Sequence, residues 1–379
     1  MLQKLFPLLL LSAAIACAQS GPAPGVPIAQ PNPNEPAPPP QPEPALTPPA
    51  PAPTPQAPDL TATERRQVID TITARLKTSY ILPQLAEKLV ASLNAHQQQG
   101  DYDSITDGAL LAARLTNDLQ GVSRDRHLRI EYAAEKLPPE EGGPSAQEER
   151  EYRDELNRTN CGFQHVEILP GNIGYIQLNY FGAPGLCAET AAAAFKFIAH
   201  TDAVVFDLRQ NHGGDPAMVA LMASYLFDHP VHLDDLYNRP DNKITQYWAT
   251  PDKVTDRLPT VPVYVLTSRF SFSGAEQFCY DLKNLRRAIL IGERTGGAAH
   301  PTRNRRINDH FFIAMPEYRY INAVTRTDWE GEGVEPDVAA APWNALSAAE
   351  RIALTRLRRT RVQPAQPTTA SLLTEPFPQ

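Results

Sequence analysis

From residue 161 onward the chain alternates two kinds of segment, and this alternation limits its fold more than any other feature. The runs IGYIQL, AVVFDLR, VPVYVLTS and AILIGE are short and apolar, which predicts buried strands. Between them lie AETAAAAFKFIAH and PAMVALMASYLF, which have helical length and spacing. Apolar strands separated by helices predict an α/β domain with a largely parallel sheet, placed at 161–345. FFIAMPEYRY reads as one further strand. A short helix follows Pro342, and 346–379 reads as a C-terminal helix and tail.

The residues before this domain divide into four parts. MLQKLFPLLLLSAAIACAQS has one Lys, an apolar run too short to span a bilayer, and small residues, which predicts a signal peptide over 1–18. Two cleavage readings stay open. Ala16-Cys17-Ala18 fits release at Gln19, whereas Ala14-Ile15-Ala16-Cys17 resembles a lipobox that would leave Cys17 lipidated and membrane-anchored. Residues 19–58 hold close to half of the 38 prolines and predict an extended spacer. Residues 59–135 read as a small helical domain. It opens with a capping box at Thr61 and Glu64, carries Val68, Ile72 and Leu76 at helical spacing, and ends in a strand-like DRHLRIEY. Residues 136–160 read as an acidic, solvated insertion. An exported chain can keep disulfides. Cys161 and Cys187 flank one predicted strand and are able to pair, although three buried free thiols, with Cys279, is an equal reading. The net charge of −8 gives no sign of a nucleic-acid partner.

Ser273 lies where a strand gives way to a helix, in SFSGAEQF. A serine there can act as a nucleophile if a base takes its proton and N–H donors receive the developing oxyanion. The N–H of Gly274, at the helix start, would face that oxygen. Alternatively Ser273 only caps the helix, with Glu276 completing the box. In DLRQNHGGDP a strand ends on Gly213 and Gly214, which let backbone approach a ligand closely, but a plain turn would use the same residues. His300 and His212 are candidates for lining the site or binding substrate.

Four segments, DRHLRI, DLRQNHGGDP, LTSRFSFSGAEQFCYDLKNLRRAILIGERTGGAAHP and DWEGEGVEPDV, occur in this order. Together they resemble the tail-specific (carboxyl-terminal processing) protease superfamily, in the branch of interphotoreceptor retinoid-binding protein and its bacterial relatives. The resemblance implies a crotonase/Clp-like spiral of ββα units with a small helical N-terminal domain. It also implies an oxyanion hole of Gly274 with Gly213 or Gly214, Gly213 being favoured. Processing proteases of the superfamily use a lysine where this chain has Ala298, which removes a Ser–Lys dyad. Tricorn-type members use Ser, His and Glu, which here match Ser273, His127 and Glu330. Imidazole titrates near neutrality and suits the base, and a carboxylate would fix its tautomer directly or indirectly.

The expected function is therefore an exported serine peptidase, periplasmic, lipid-anchored or secreted, acting on peptide or protein. A binder of an apolar, retinoid-like ligand on the same fold is the alternative. No GxSxG elbow, HExxH, paired-Cys motif, phosphate-cradling loop or PDZ-like segment is read in the sequence. No metal or cofactor is expected.

Overall fold

The computed structural model describes residues 59–139 and 145–362. The signal peptide with Cys17, the spacer 19–58, positions 140–144 and the tail beyond 362 lie outside the described residues.

Three helices open the fold: α1 (Ala62–Ser79), α2 (Pro83–Gln99) and α3 (Gly108–Ser123). The expected capping box starts α1, with Glu64 N–H donating to Thr61 Oγ1 (3.2 Å) and Thr61 N–H to Glu64 Oε2 (2.8 Å). Val68, Ile72 and Leu76 of α1 pack with Leu89 of α2 and Leu115 of α3. Strand β1 (Arg129–Tyr132) follows. In place of a wholly irregular insertion the chain forms α4 (Ala146–Arg158), begun by a second capping box at Ser145 and Glu148. Leu156 anchors this charged helix in the main core.

The body is a six-stranded sheet. In chain order its strands are β2 (Phe163–Leu169), β3 (Ile173–Leu178), β4 (Ala203–Asp207), β7 (Val263–Thr267), β8 (Ala288–Gly292) and β12 (Val338–Ala339). Their spatial order is β12-β8-β7-β4-β3-β2, parallel throughout except for β2. Residues alternate between faces with the strand period of two. Val204, Phe206 and Val265 pack under α5 (Pro184–Phe197), α6 (Pro216–Ser224) and α7 (Gly274–Asn284). Val205, Tyr264 and Leu266 pack against α8 (Pro342–Val362). No helix among the described residues is long and apolar enough to cross a membrane.

The predicted strand FFIAMPEYRY is two strands in different sheets. Its first half, β10 (Phe311–Pro316), pairs with β9 (Thr302–Arg306) and with β1. Phe311, Ile313 and Met315 then complete the core of the helical unit, so that unit is not closed by residues 59–135 alone. Its second half, β11 (Tyr318–Asn322), joins the hairpin β5 (Val231–Asn238) and β6 (Lys243–Ala249), which the sequence reading did not identify. The break falls at Glu317, fully buried and held by Arg305 through two bonds (2.6 and 2.8 Å).

Cys161 and Cys187 are disulfide-bonded, joining the start of β2 to α5, and Cys279 is a buried free thiol. Closing a loop of this length stabilises by ~3 kcal/mol. Replacing both bridge cysteines with alanine should lower the unfolding free energy by about that amount in urea titration. An unchanged midpoint would mean that the bridge does not constrain the unfolded chain.

Helix α7 meets the hairpin sheet through two buried carboxylates, Asp281 and Asp234. Burial, then the charge of Asp234, pushes Asp281 well above the usual range, and burial pushes Asp234 up to about 6. Asn322 donates to Asp281 Oδ1 and Gln277 to Asp234 Oδ2, both at 2.8 Å, which leaves Asp281 Oδ2 and Asp234 Oδ1 to share a proton. Both folded values stand above the unfolded ones. The folded chain therefore holds extra proton, and stability should fall as pH rises above about 4 and on through the folded values. Asp281→Asn keeps a donor in place and should flatten that fall, raising the urea midpoint near pH 8 while leaving it almost unchanged near pH 5. A wild-type midpoint that is flat across this range would contradict the shared proton.

Candidate active site

The loops after β4, β7 and β8 leave neighbouring strand ends on the carboxyl edge of the sheet, the usual ligand edge of such folds. The loop after β7 runs from Ser268 to Ser273. Ser268 Oγ donates to the Arg209 carbonyl (2.5 Å) and Ser271 Oγ to the Leu208 carbonyl (2.7 Å), so both neighbouring serines serve as staples to the glycine loop. Ser273 is half-buried at φ 53°, ψ −116°. A non-glycine residue held there costs roughly 1–3 kcal/mol and persists only where its surroundings enforce it. Here Phe272 N–H donates to the Asn211 carbonyl (3.0 Å) and Ser273 N–H to Glu276 Oε2 (2.9 Å). The amides of Glu276 and Gln277 go to the Ser273 carbonyl (2.9 and 3.0 Å), so the first turn of α7 has backbone acceptors whatever the hydroxyl does.

Gly213 and Gly214 take φ +101° and +134°, conformations that side chains rarely adopt. They lie directly against the serine turn: a Cβ built on Gly213 would meet Gly274 N and Ser273 Cβ at 2.8 Å. The favoured oxyanion donor is corrected by the geometry. Gly213 N–H is taken by Asn211 Oδ1 (2.8 Å), whereas the N–H groups of Gly214 and Gly274 find no acceptor among the described residues. A Cβ on Gly274 would stand 3.2 Å from Gly214 N, so these two donors belong to backbone segments in close contact. His212, beside them, is exposed and open to a ligand.

His127 comes from the helical unit, in the turn between α3 and β1. Its N–H donates to Asp125 Oδ1 (3.0 Å), and its ring lies 4.9 Å from the ring of Phe272, the residue before Ser273. The Arg126 guanidinium sits 5.1 Å over the same ring and donates to the Gly296 carbonyl (3.1 Å). Burial pulls His127 down to about 4 against the field of Asp125, so its imidazole is neutral at pH 7. Its Nδ1 is buried without a partner.

Glu330 does not sit on that nitrogen. It accepts the Ala299 N–H (2.5 Å), and its Oε2 faces His300 Nδ1 at 3.6 Å. His300 in turn lies 3.4 Å from Asp125 Oδ2, which also accepts the Tyr80 hydroxyl (3.1 Å). His300 is only 2% exposed, which corrects its reading as a substrate contact. Burial works against its charge, yet the bond to Asp125 and the field of Glu330 prevail and raise it. Burial and then the Asp125 charge raise Glu330 to about 8. The donor atoms of Asp125, His300 and Glu330 lie within 4.8 Å of one another. His300 Nδ1 stands between the two carboxyl groups, and we assign no metal ligand there.

Residues 172–340 match the model of peptidase family S41, and residues 60–170 match the N-terminal domain of Peptidase_S41 in eukaryotic IRBP. The chain belongs to peptidase family S41, a family of serine peptidases. It is similar to the tricorn protease of Thermoplasma volcanium, with 28% identity over 184 residues, which is 47% of this chain and 16% of the relative. The chain thus spans about a sixth of that relative's length. Among solved structures it resembles a candidate peptidase from Parabacteroides merdae, with a TM-score of 0.55, 18% identity, and coverage of 76% of this chain and 96% of that one. It also resembles the tricorn protease structure, with a TM-score of 0.50, 14% identity, and coverage of 79% and 37%. At these identities the structures speak for the fold alone.

In this S41 chain the lysine position of the processing proteases is filled by backbone contacts. Ala298 N–H donates to Glu276 Oε2 (2.9 Å) and its carbonyl accepts Trp329 Nε1 (3.0 Å). Glu276, fully buried, also accepts Thr295 Oγ1 (2.5 Å), Gly297 N–H (2.6 Å) and Ser273 N–H (2.9 Å). The sequence reading missed three residues that set the site: Glu276 as a hub, Asn211, and Asp125. Each had a local signal, the second half of a capping box, an Asx bond two residues on, and an acid two before His127. Glu276→Gln would turn two acceptors into one acceptor and one donor facing N–H groups. It should destabilise the chain by ~2 kcal/mol or more in urea titration. A neutral effect would show that the four donors do not depend on the carboxylate.

Proposed function

We propose that this chain is an exported serine peptidase that cleaves peptide bonds through an acyl-enzyme. Ser273 Oγ attacks the carbonyl carbon while His127 takes its proton. The N–H groups of Gly214 and Gly274 receive the oxyanion. His127 then returns the proton to the leaving amine, and water repeats the sequence to release the acid. The observation that carries this reading is the pair of N–H groups, unpartnered among the described residues, on closely packed backbone beside a serine held at positive φ. The fit is specific: a binding module has no need of backbone strain at Ser273. The neutral, buried His127 suits a base that must start uncharged. Tricorn protease, the curated relative, supports peptide or protein as substrate.

Export is part of the same reading. It is supported by the leader-like first residues and by the Cys161–Cys187 bridge, and anchoring through Cys17 is its finer form. The match to the IRBP-type N-terminal domain keeps an apolar-ligand carrier as the second reading. A fluorophosphonate probe separates the two. Wild type should be labelled at Ser273 by mass spectrometry, Ser273→Ala should not be, and His127→Ala should react slower by ~10³-fold or more. Folded wild-type protein that takes no label but carries lipid through purification would overturn the peptidase.

A further inference from the structure

We propose that His300 is a positioning residue for the base, an imidazolium between Asp125 and Glu330 that keeps Asp125 as the anion which orients His127. The proposal rests on the peptidase reading and deepens it. The two carboxylates approach His300 Nδ1 at 3.4 and 3.6 Å, in a pocket where His300 is 2% and Asp125 1% exposed. Two buried carboxylates cannot both stay ionised without a cation, and His300 is the cation that reaches both. Asp125 is fixed from three directions: by His300 on the loop after β8, by the Tyr80 hydroxyl at the end of α1, and by the His127 N–H. The last bond closes the Asp125-Arg126-His127 turn, so the direction in which the His127 side chain leaves depends on the Asp125 carboxylate. The sequence-based line from Ser273 through His127 to Glu330 thus becomes His127, Asp125, His300, Glu330. Its last two members come from the body and its first two from the helical unit.

The charged groups acting on His127 are Asp125, which favours its imidazolium, and His300, Arg129 and Arg126, which oppose it. Those acting on His300 are Asp125, Glu330 and Asp328, all favouring its charge. Without His300 the Asp125 carboxyl would take up a proton, so His300→Gln and Asp125→Asn should both remove the same anion, an outcome that a merely structural role does not produce.

The test uses histidine-labelled Ser273→Ala protein, in which NMR follows His127 and His300 with no need of activity. With carboxyl-labelled aspartate in the same protein, Asp125 should read as ionised near pH 7 and as protonated once His300→Gln is introduced. In the otherwise active chain, His300→Gln should slow phosphonylation by tens-fold, inside the ~10²–10⁴ that base catalysis supplies. An Asp125 carboxyl that stays ionised near pH 7 without His300 would overturn the proposal. Should His300→Gln fail to fold, Glu330→Gln keeps it testable. His300 should titrate above the ordinary imidazole range and drop toward it in that variant, and an ordinary value in both proteins would overturn the role. Absence of labelling in wild type counts against the peptidase and leaves the NMR result to be judged separately.

Discussion

One buried carboxylate, Glu276, holds the site in register. Its four donors belong to the serine turn and to the loop at 295–298, which the Gly296 N–H also joins by donating to the Ser271 carbonyl (3.0 Å). An isolated buried charge is costly, and four short bonds to it make any rearrangement of either segment equally costly. The strain at Ser273 can be maintained because this network over-determines it. The same contacts set Ala298 where a lysine would otherwise project, so the chain's departure from the processing proteases is packed into the structure. It is not a simple gap.

A second constraint runs across the molecule. His127 stands on the helical unit and Ser273 on the body, and Asp125 and His300 meet between them. Phe272 lies under both His127 and Arg126, tying the two halves by ring contact as well as by charge. The described residues from 59 onward form one compact unit, within which residues 60–170 match the family's N-terminal domain.

Much of this could be read in the sequence, for local reasons. Buried parallel strands have near-continuous apolar runs, and Ser273, the glycine pair and the DRH turn are short patterns on known sides of them. What escaped reading depends on distances between elements. Nothing local tells that Glu330 faces His300, or that Gly214 N–H is left beside that of Gly274. FFIAMPEYRY satisfies a single strand by composition, and only the buried Arg305–Glu317 pair divides it. The hairpin 231–249 went unread because its outer strand, with buried and exposed positions mixed and Lys243 at its start, lacks the apolar run that marked the others.

The completion of the helical core by β10 has a consequence for how the chain comes to life. The three helices are synthesised first, yet their apolar faces stay uncovered until Phe311, Ile313 and Met315 have emerged. By then Ser273 and its glycine loop have already been made. Long-range pairings of this kind close late, after local structure has formed. A nascent or cut-short chain ending before residue 311 therefore holds every proposed participant except Glu330 but cannot bring His127 up to Ser273. The topology itself delays assembly of the site until nearly the whole chain is in place.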